Sequence, residues 1–437
     1  MFDLKEAFRI DTSRRPSMGQ RLQATKAELS SSTEKTDSAA IEPADGEWTA
    51  DVAASANMPA TDTEKIDFLL KLCQALLAYG QCTVDAEERT TNAAITMGLP
   101  VPVLDVGPRC MHAAFEGIKS SHLQTTRDIV LCKLQDVTEL AIHAATQGQN
   151  YTRQDVEAAC VLLEEISKEP LPYGWIIQDI LFVWLCTMAA IGAFFGSYSD
   201  MLVVFIISLF ILGIKKLITR FPMVLAPLEL ILVPAVSGLL TAAAYRIASN
   251  DTGDKPCNIP IIFLSPLLVY LPGSELIYGA YEVLMGHFTV GAARLVSSLV
   301  KCMVIALGLT IGWQFTGYNL MKDTIDIQGG VEASFVPKDK CAPFTQPQNI
   351  SPWWMVFGVW NLVMLIPVLG GLQVRPRDML MNYGIAYLSL VLFGALNFAG
   401  SEGEGVGLNE FLVDIIGLFF ATNLSCLREY VTGVPGE

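Results

Sequence analysis

The chain has 437 residues, of which 52% are hydrophobic and 17% charged, with a formal net charge of −15 and a mean hydropathy of +0.42. A soluble domain carries about 25% charged residues, so the composition excludes a protein that is soluble throughout. The acidic balance, with no basic stripe interleaved with aromatics, excludes a nucleic-acid partner.

Residues 1–62 are rich in Ser, Thr, Ala, Asp and Glu. So few large apolar side chains cannot offset the entropy of ordering, and the stretch reads as a disordered tail. Residues 1–25 hold no apolar run of the kind a signal peptide needs, so the N-terminal part of the chain is expected to stay cytoplasmic. From Glu64 the pattern changes. Ile66, Leu69, Leu70, Cys73, Leu76 and Leu77 recur at helical spacing up to a stop at Gly80. A second helix is predicted from Thr83 to Met97, with Asp85 in its first turn and Glu87, Glu88 and Arg89 on its exposed side. Val101 to Val106 and Arg109 to Phe115 read as two short strands split by Gly107-Pro108. Two amphipathic helices come next, near 134–146 and 152–167. Together, residues 63–173 are expected to form a cytoplasmic α+β domain with its own core.

Beyond Gly174, eight apolar segments appear near 175–196, 198–214, 222–245, 259–281, 292–316, 353–372, 378–399 and 407–425. Each approaches the roughly 20 residues that cross a hydrocarbon core, and helices are the structure such segments take in a bilayer. Lys215, Lys216, Arg220, Arg294, Arg375, Arg377 and Arg428 flank these segments on one side. The positive-inside rule then puts both termini in the cytoplasm and the longer loops outside. Residues 174–320 read as a first transmembrane half of five spans, 321–352 as an extracytoplasmic loop, and 353–437 as an incomplete second half of three. Asn250 and Asn349 lie in sequons on the outer side. Cys257 and Cys341 share that side, where a disulfide could persist.

No motif of a hydrolase, a nucleotide-binding loop or a metalloprotease is present. The ten cysteines and four histidines show no metal-ligand spacing. The reading is therefore of a non-enzyme without metal or cofactor. Hydrolase-like chemistry from Asp105, His112, Glu87 and Glu88 ranks last, since no nucleophile and base can be paired there. The residues that stand out are carboxylates within apolar segments: Asp179, Glu229, Glu275 and Asp414. A charge in hydrocarbon is costly, so such groups face a cavity or a partner and often relay protons; Asp179 and Glu229 also lie close enough to segment ends to hydrate at a headgroup boundary. The fourth segment carries Leu271-Pro272-Gly273-Ser274-Glu275. Its Pro and Gly predict a broken helix of the kind that holds polar substrates in transporters, with a simple kink as the competing reading.

Two blocks of sequence resemble the threonine/serine exporter family in its fungal pheromone-regulated membrane-protein branch. One is FLLKLCQALLAYGQCTVDAEERTTNAAITMGLPVPVLDV, continued through LCKLQDVTEL and VEAACVLLEEI. The other is LPGSELIYGAYEVLMGHFTVGAARLVSSLVKCMVIALGLTIGW. The resemblance implies proton-driven export of small amino acids through two five-span halves. By position it marks Pro272, Gly273, Ser274, Glu275, Gly291 and Arg294 as transport-site candidates, and Gly80, Glu87 and Arg89 as the signature of the soluble part. The expected fold class is thus a polytopic α-helical membrane protein of about eight spans, two short of the family's ten, with a soluble N-terminal α+β domain and a disordered tail. Its expected partners are the lipid bilayer, a small amino-acid substrate and protons as coupling ion; a homo-oligomer stays open, as does the choice of plasma membrane or vacuole. The two missing spans favour a second reading, a non-transporting membrane protein whose soluble domain is an interaction module.

Overall fold

The computed structural model describes residues 16–39, 60–106, 110–115, 119–124, 129–192, 198–225, 228–251, 259–315 and 359–400. Two hydrophobic cores organise them, one formed by residues between Met18 and Ile166 and the other by residues between Phe182 and Leu309.

The first core is helical. Helix α1 (Met18–Ala39) lies within the stretch expected to be disordered. Met18, Leu22, Thr25 and Leu29 fall at helical spacing, and the first three are buried against the rest of the unit. Lys26 Nζ reaches Asp155 at 2.7 Å and secures the docking. Helix α2 (Asp62–Ala78) is the centre, with Ile66, Phe68, Leu69, Leu72, Cys73, Leu76 and Leu77 fully buried. It ends where Gly80 takes a φ of +100°. A Cβ there would lie 3.1–3.2 Å from Ile129, so both the left-handed backbone and the space call for glycine. Helix α3 (Thr83–Thr96) is next, then strands β1 (Val103–Val106), β2 (Cys110–Phe115) and β3 (Lys119–Gln124). The strands form an antiparallel sheet in the order β1-β2-β3, with Asp105 opposite His112 and His112 opposite His122. Helices α4 (Leu131–Gln147) and α5 (Arg153–Lys168) close the unit. Thr152 caps α5 reciprocally with Asp155: its amide donates to the carboxylate at 2.9 Å, and the Asp155 amide donates back to its hydroxyl at 3.4 Å.

The second core is built from α6 (Trp175–Gly192), α7 (Tyr198–Arg220), the single turn α8 (Pro222–Leu225), α9 (Glu229–Asp251), α10 (Ile259–Leu264) with the 3₁₀ turn Ser265–Tyr270, α11 (Gly273–Leu284) and α12 (Phe288–Gln314). Helices α13 (Val359–Gly371) and α14 (Pro376–Gly400) complete the described chain, α13 lying against α6. Leu202, Phe205, Ile206, Leu209 and Phe210 on α7 are exposed, as are Val296, Leu299, Val300, Met303 and Leu307 on α12. Stripes of that kind suit lipid rather than water.

The expected fold class needs correcting on two counts. The N-terminal unit is not the expected α+β domain, because it is nearly all helical and its described core is built from helices and their connections. Nor are there eight spans among the described residues. Two helices, Asp200–Arg220 and Phe288–Gln314, are long and apolar enough to cross a membrane, and a third counts if the bent pair Ile262–Tyr270 and Gly273–Leu284 is one span. An apolar run is not always one helix. The run from residue 222 yields one turn and then a separate helix from Glu229, whose apolar part is short, and α6 is short by the same measure. The segment at 407–425 lies outside the described residues.

Candidate functional site

Three of the residues singled out from the sequence, Glu87, Gly291 and Arg294, meet near the turn between α11 and α12, where the N-terminal unit meets the apolar helices. Gly286, with a φ of +92°, reverses the chain there, and His287 opens α12. The two helices then run back in close contact. A Cβ on Gly291 would lie 2.6 Å from Gly279 O and 2.7 Å from Val283 N, so glycine is what permits the approach. The next turn of α12 carries Arg294, and the close approach brings it onto Glu282 of α11.

Glu282 is completely buried. Its Oε1 accepts from the Thr83 amide at 3.1 Å and the Thr83 hydroxyl at 2.6 Å. The Arg294 guanidinium reaches the same oxygen at 3.0 Å. Thr83 is the first residue of α3, so the carboxylate also sits at a helix N-terminus, where the orphan amides and the dipole favour an anion. Its other oxygen, Oε2, is buried with no hydrogen-bond partner among the described residues. One turn along α3, Glu87 faces His287, 3.6 Å between Oε2 and Nε2. Burial raises the Glu87 carboxyl above its ordinary range, while His287 pulls it back. Two polar contacts, Thr83/Glu282/Arg294 and Glu87/His287, thus bridge the two cores.

The candidates at the helix break form a separate group. The 3₁₀ turn ends at Tyr270 and α11 starts at Gly273, with a bend of 56° between the two pieces. Pro272 is the N-terminal cap of α11, and Ser274 is exposed. Glu275, in the first turn, pairs with Lys301 of α12, both about two-fifths exposed. It lies seven residues before Glu282, about 10 Å along the helix axis. Asp179 pairs with Lys216 at 2.6 Å, and that lysine also lies over the Trp175 ring. Glu229 accepts from the Tyr270 hydroxyl at 3.1 Å. These acids therefore have partners of their own and do not converge with Glu282. Arg89 lies on α3, two residues beyond Glu87. Asn250 is in the last turn of α9; Asp414, Cys257, Cys341 and Asn349 lie outside the described residues.

A family model described as "Putative threonine/serine exporter" matches residues 67–316, more than half of the chain and all of this junction. The chain belongs to the threonine/serine exporter family. It is similar to pheromone-regulated membrane protein 10 of Yarrowia lipolytica, 22% identical over 81% of this chain and 28% of the relative. The protein of that name from Saccharomyces cerevisiae is 20% identical over 81% of this chain and 43% of its own length. An uncharacterized protein of Schizosaccharomyces pombe is 22% identical over 78% of this chain and 39% of its own. The chain thus spans less than half the length of these relatives. No solved structure matches it.

Glu282 and Thr83 went unread in the sequence. A Glu at i+7 from another Glu on one helix is a visible signal, but spacing alone does not say which of the two becomes buried.

Proposed function

We infer that this member of the transporter family exports small amino acids such as threonine and serine, coupled to protons, with both termini cytoplasmic. The family description supports the substrate class. The observation that carries the choice of site is Glu282, a wholly buried carboxylate with one oxygen held by three donors and the other unpartnered among the described residues. A buried charge persists only while it is compensated. A proton or a substrate ammonium arriving at Oε2 would compete with Arg294 and Thr83 for the carboxylate and loosen the contact between α3 and the α11–α12 turn. Opening and closing that contact is the conformational step of the cycle. Residues 63–173 act as the cytoplasmic part and 174–320 as the first half of the membrane part. The break at Pro272–Ser274, with Glu275, lies about two helical turns from the same carboxylate and contributes backbone groups to the substrate path.

The test is efflux of labelled threonine and serine from preloaded cells expressing the chain, with and without a protonophore. Efflux should collapse with the gradient and fall strongly in Glu282→Gln, whereas Glu88→Gln, on the exposed side of α3, should behave as the unmutated chain. Full efflux in Glu282→Gln would remove this carboxylate from the mechanism. Absence of efflux from protein confirmed in the membrane would replace transport by the interaction-module reading.

A further inference from the structure

The N-terminal unit grips the apolar helices in a second place, away from Glu282. The turn between α13 and α14, residues 372–375, is seated against the start of α4. Leu131, the first residue of α4, donates its amide to Leu372 O at 3.1 Å. As with Thr83 and Glu282, a free amide at a helix N-terminus takes its acceptor from a turn of the apolar part. Val374 is buried in the contact, 2% exposed. Arg375 then pairs with Asp136, in the second turn of α4. Arg21 of α1 reaches the same Oδ2 at 3.4 Å, so α1 completes the socket. Breaking a pair on so deeply buried a carboxylate is costly, which makes the seat specific.

Each turn belongs to a different helix pair. Helices α11 and α12 are locked together at Gly279 and Gly291, and α12 also lies against α9, where a Cβ on Gly308 would meet Ile231 O at 2.6 Å. Helix α13 is held on α6 instead, where a Cβ on Gly370 would meet Leu181 Cδ1 at 2.6 Å. The N-terminal unit holds one pair through α3 and the other through α4. Ala86 and Ala93 of α3 share a core with Val137, Leu140 and Ala141 of α4, so the two grips belong to one packed body.

The second grip is strained. Among the described residues, Gln373 is the only non-glycine residue with a left-handed backbone, φ +59°. It ends α13 with its amide donating to Gly370 O at 3.0 Å and the Val374 amide donating to Leu369 O at 3.1 Å, an arrangement that favours glycine. Gln373 is also buried, and its Oε1 has no hydrogen-bond partner among the described residues. Backbone strain and a stranded oxygen both oppose the seated turn, and both relax when it leaves α4.

We propose that the N-terminal unit is a clamp across two helix pairs and that the α13–α14 turn is its release point. Arg375 and Asp136 hold it shut and Gln373 primes it to open; all three are positioning residues. The clamp is a property of the fold, and only its effect on flux rests on the transport reading.

Hydrogen exchange on the purified full chain in detergent reads the clamp without any solute. Arg375→Gln should speed exchange in segments 129–136 and 372–378 about tenfold, the loss of one charge-assisted contact, while 82–86 and 282–291 keep their protection. Arg375→Lys, which keeps the charge, should restore most of it. Gln373→Gly removes the strain and the stranded oxygen and should slow exchange in the same two segments several-fold. In the efflux assay Gln373→Gly should lower the maximal rate several-fold and leave the half-saturating concentration unchanged, because it holds the clamp shut without touching solute. Unchanged exchange in both Arg375→Gln and Gln373→Gly would overturn the proposal. So would loss of protection at 282–291 in step with 372–378, or slowed exchange in Gln373→Gly with full efflux. The expected exchange pattern in a chain that moves no solute would leave the clamp standing and remove the transport reading.

Discussion

Removing Arg294 tests the junction most sharply. In Arg294→Ala, Glu282 keeps the two Thr83 donors but loses its only described counter-charge while remaining wholly buried. Stranding a buried charge in this way costs about 3–5 kcal/mol. Glu282→Gln is milder. Its carbonyl still accepts from Thr83, and Arg294, 12% exposed, can reach water in part, so the cost is about 1–3 kcal/mol. The double variant Glu282→Gln/Arg294→Met carries neither charge, and its cost should fall well short of the sum of the single costs. Denaturant unfolding of the detergent-purified chain measures all three, and limited proteolysis reports whether α3 leaves the α11–α12 turn. Additivity within about 0.5 kcal/mol, or a cost under about 1 kcal/mol for Arg294→Ala, would refute the picture of a coupled buried pair.

Gly291→Ala places a methyl 2.6 Å from Gly279 O and should cost about 1–3 kcal/mol of stability along with efflux. Gly213→Ala on α7, with nothing within 4 Å of the new methyl, should be neutral or mildly stabilising by the same unfolding assay. Burial opposes ionisation of Asp155, but hydrogen bonds from Lys26 and Thr152 hold its carboxyl below the ordinary 3.8. Its contribution is therefore present above that value and lost as pH falls through the lowered one. Asp155→Asn should flatten that acid limb and speed proteolysis within α1. Glu139 has the opposite sign: burial and Asp136 raise its carboxyl above 4.5. The folded chain holds the proton more tightly, so stability falls as pH rises through the raised value and stays lost above it. Glu139→Gln should melt above the unmutated chain near neutral pH, with the gap closing toward acid.

The sequence makes the second and third helices legible because strong apolar periodicity, a glycine stop and a polar start agree there. The same holds for the two closing helices of the N-terminal unit, and the break at Pro272 comes from the covalent limits of proline. Helix α1 escapes notice for a physical reason. Met18, Leu22 and Leu29 show helical spacing, but one narrow apolar seam in a polar segment gains stability only against the partner surface that α4 and α5 provide. Strand β3, Lys-Ser-Ser-His-Leu-Gln, has no apolar alternation and forms by pairing with β2. Among the described residues fewer spans appear than expected, because hydropathy measures the length of an apolar run and not the continuity of its helix. The charged bridge from Glu282 to Thr83 joins residues 199 apart in sequence, a contact that only the folded packing of α3 on α11 creates.

The central claim, that Glu282 couples a proton gradient to solute movement, is tested most directly by the purified chain in proteoliposomes. Labelled threonine flux should follow an imposed pH gradient and cease when the gradient is dissipated, and Glu282→Gln, inserted to the same level, should show no gradient-driven flux. Gradient-driven flux in Glu282→Gln equal to that of the unmutated chain would contradict the claim.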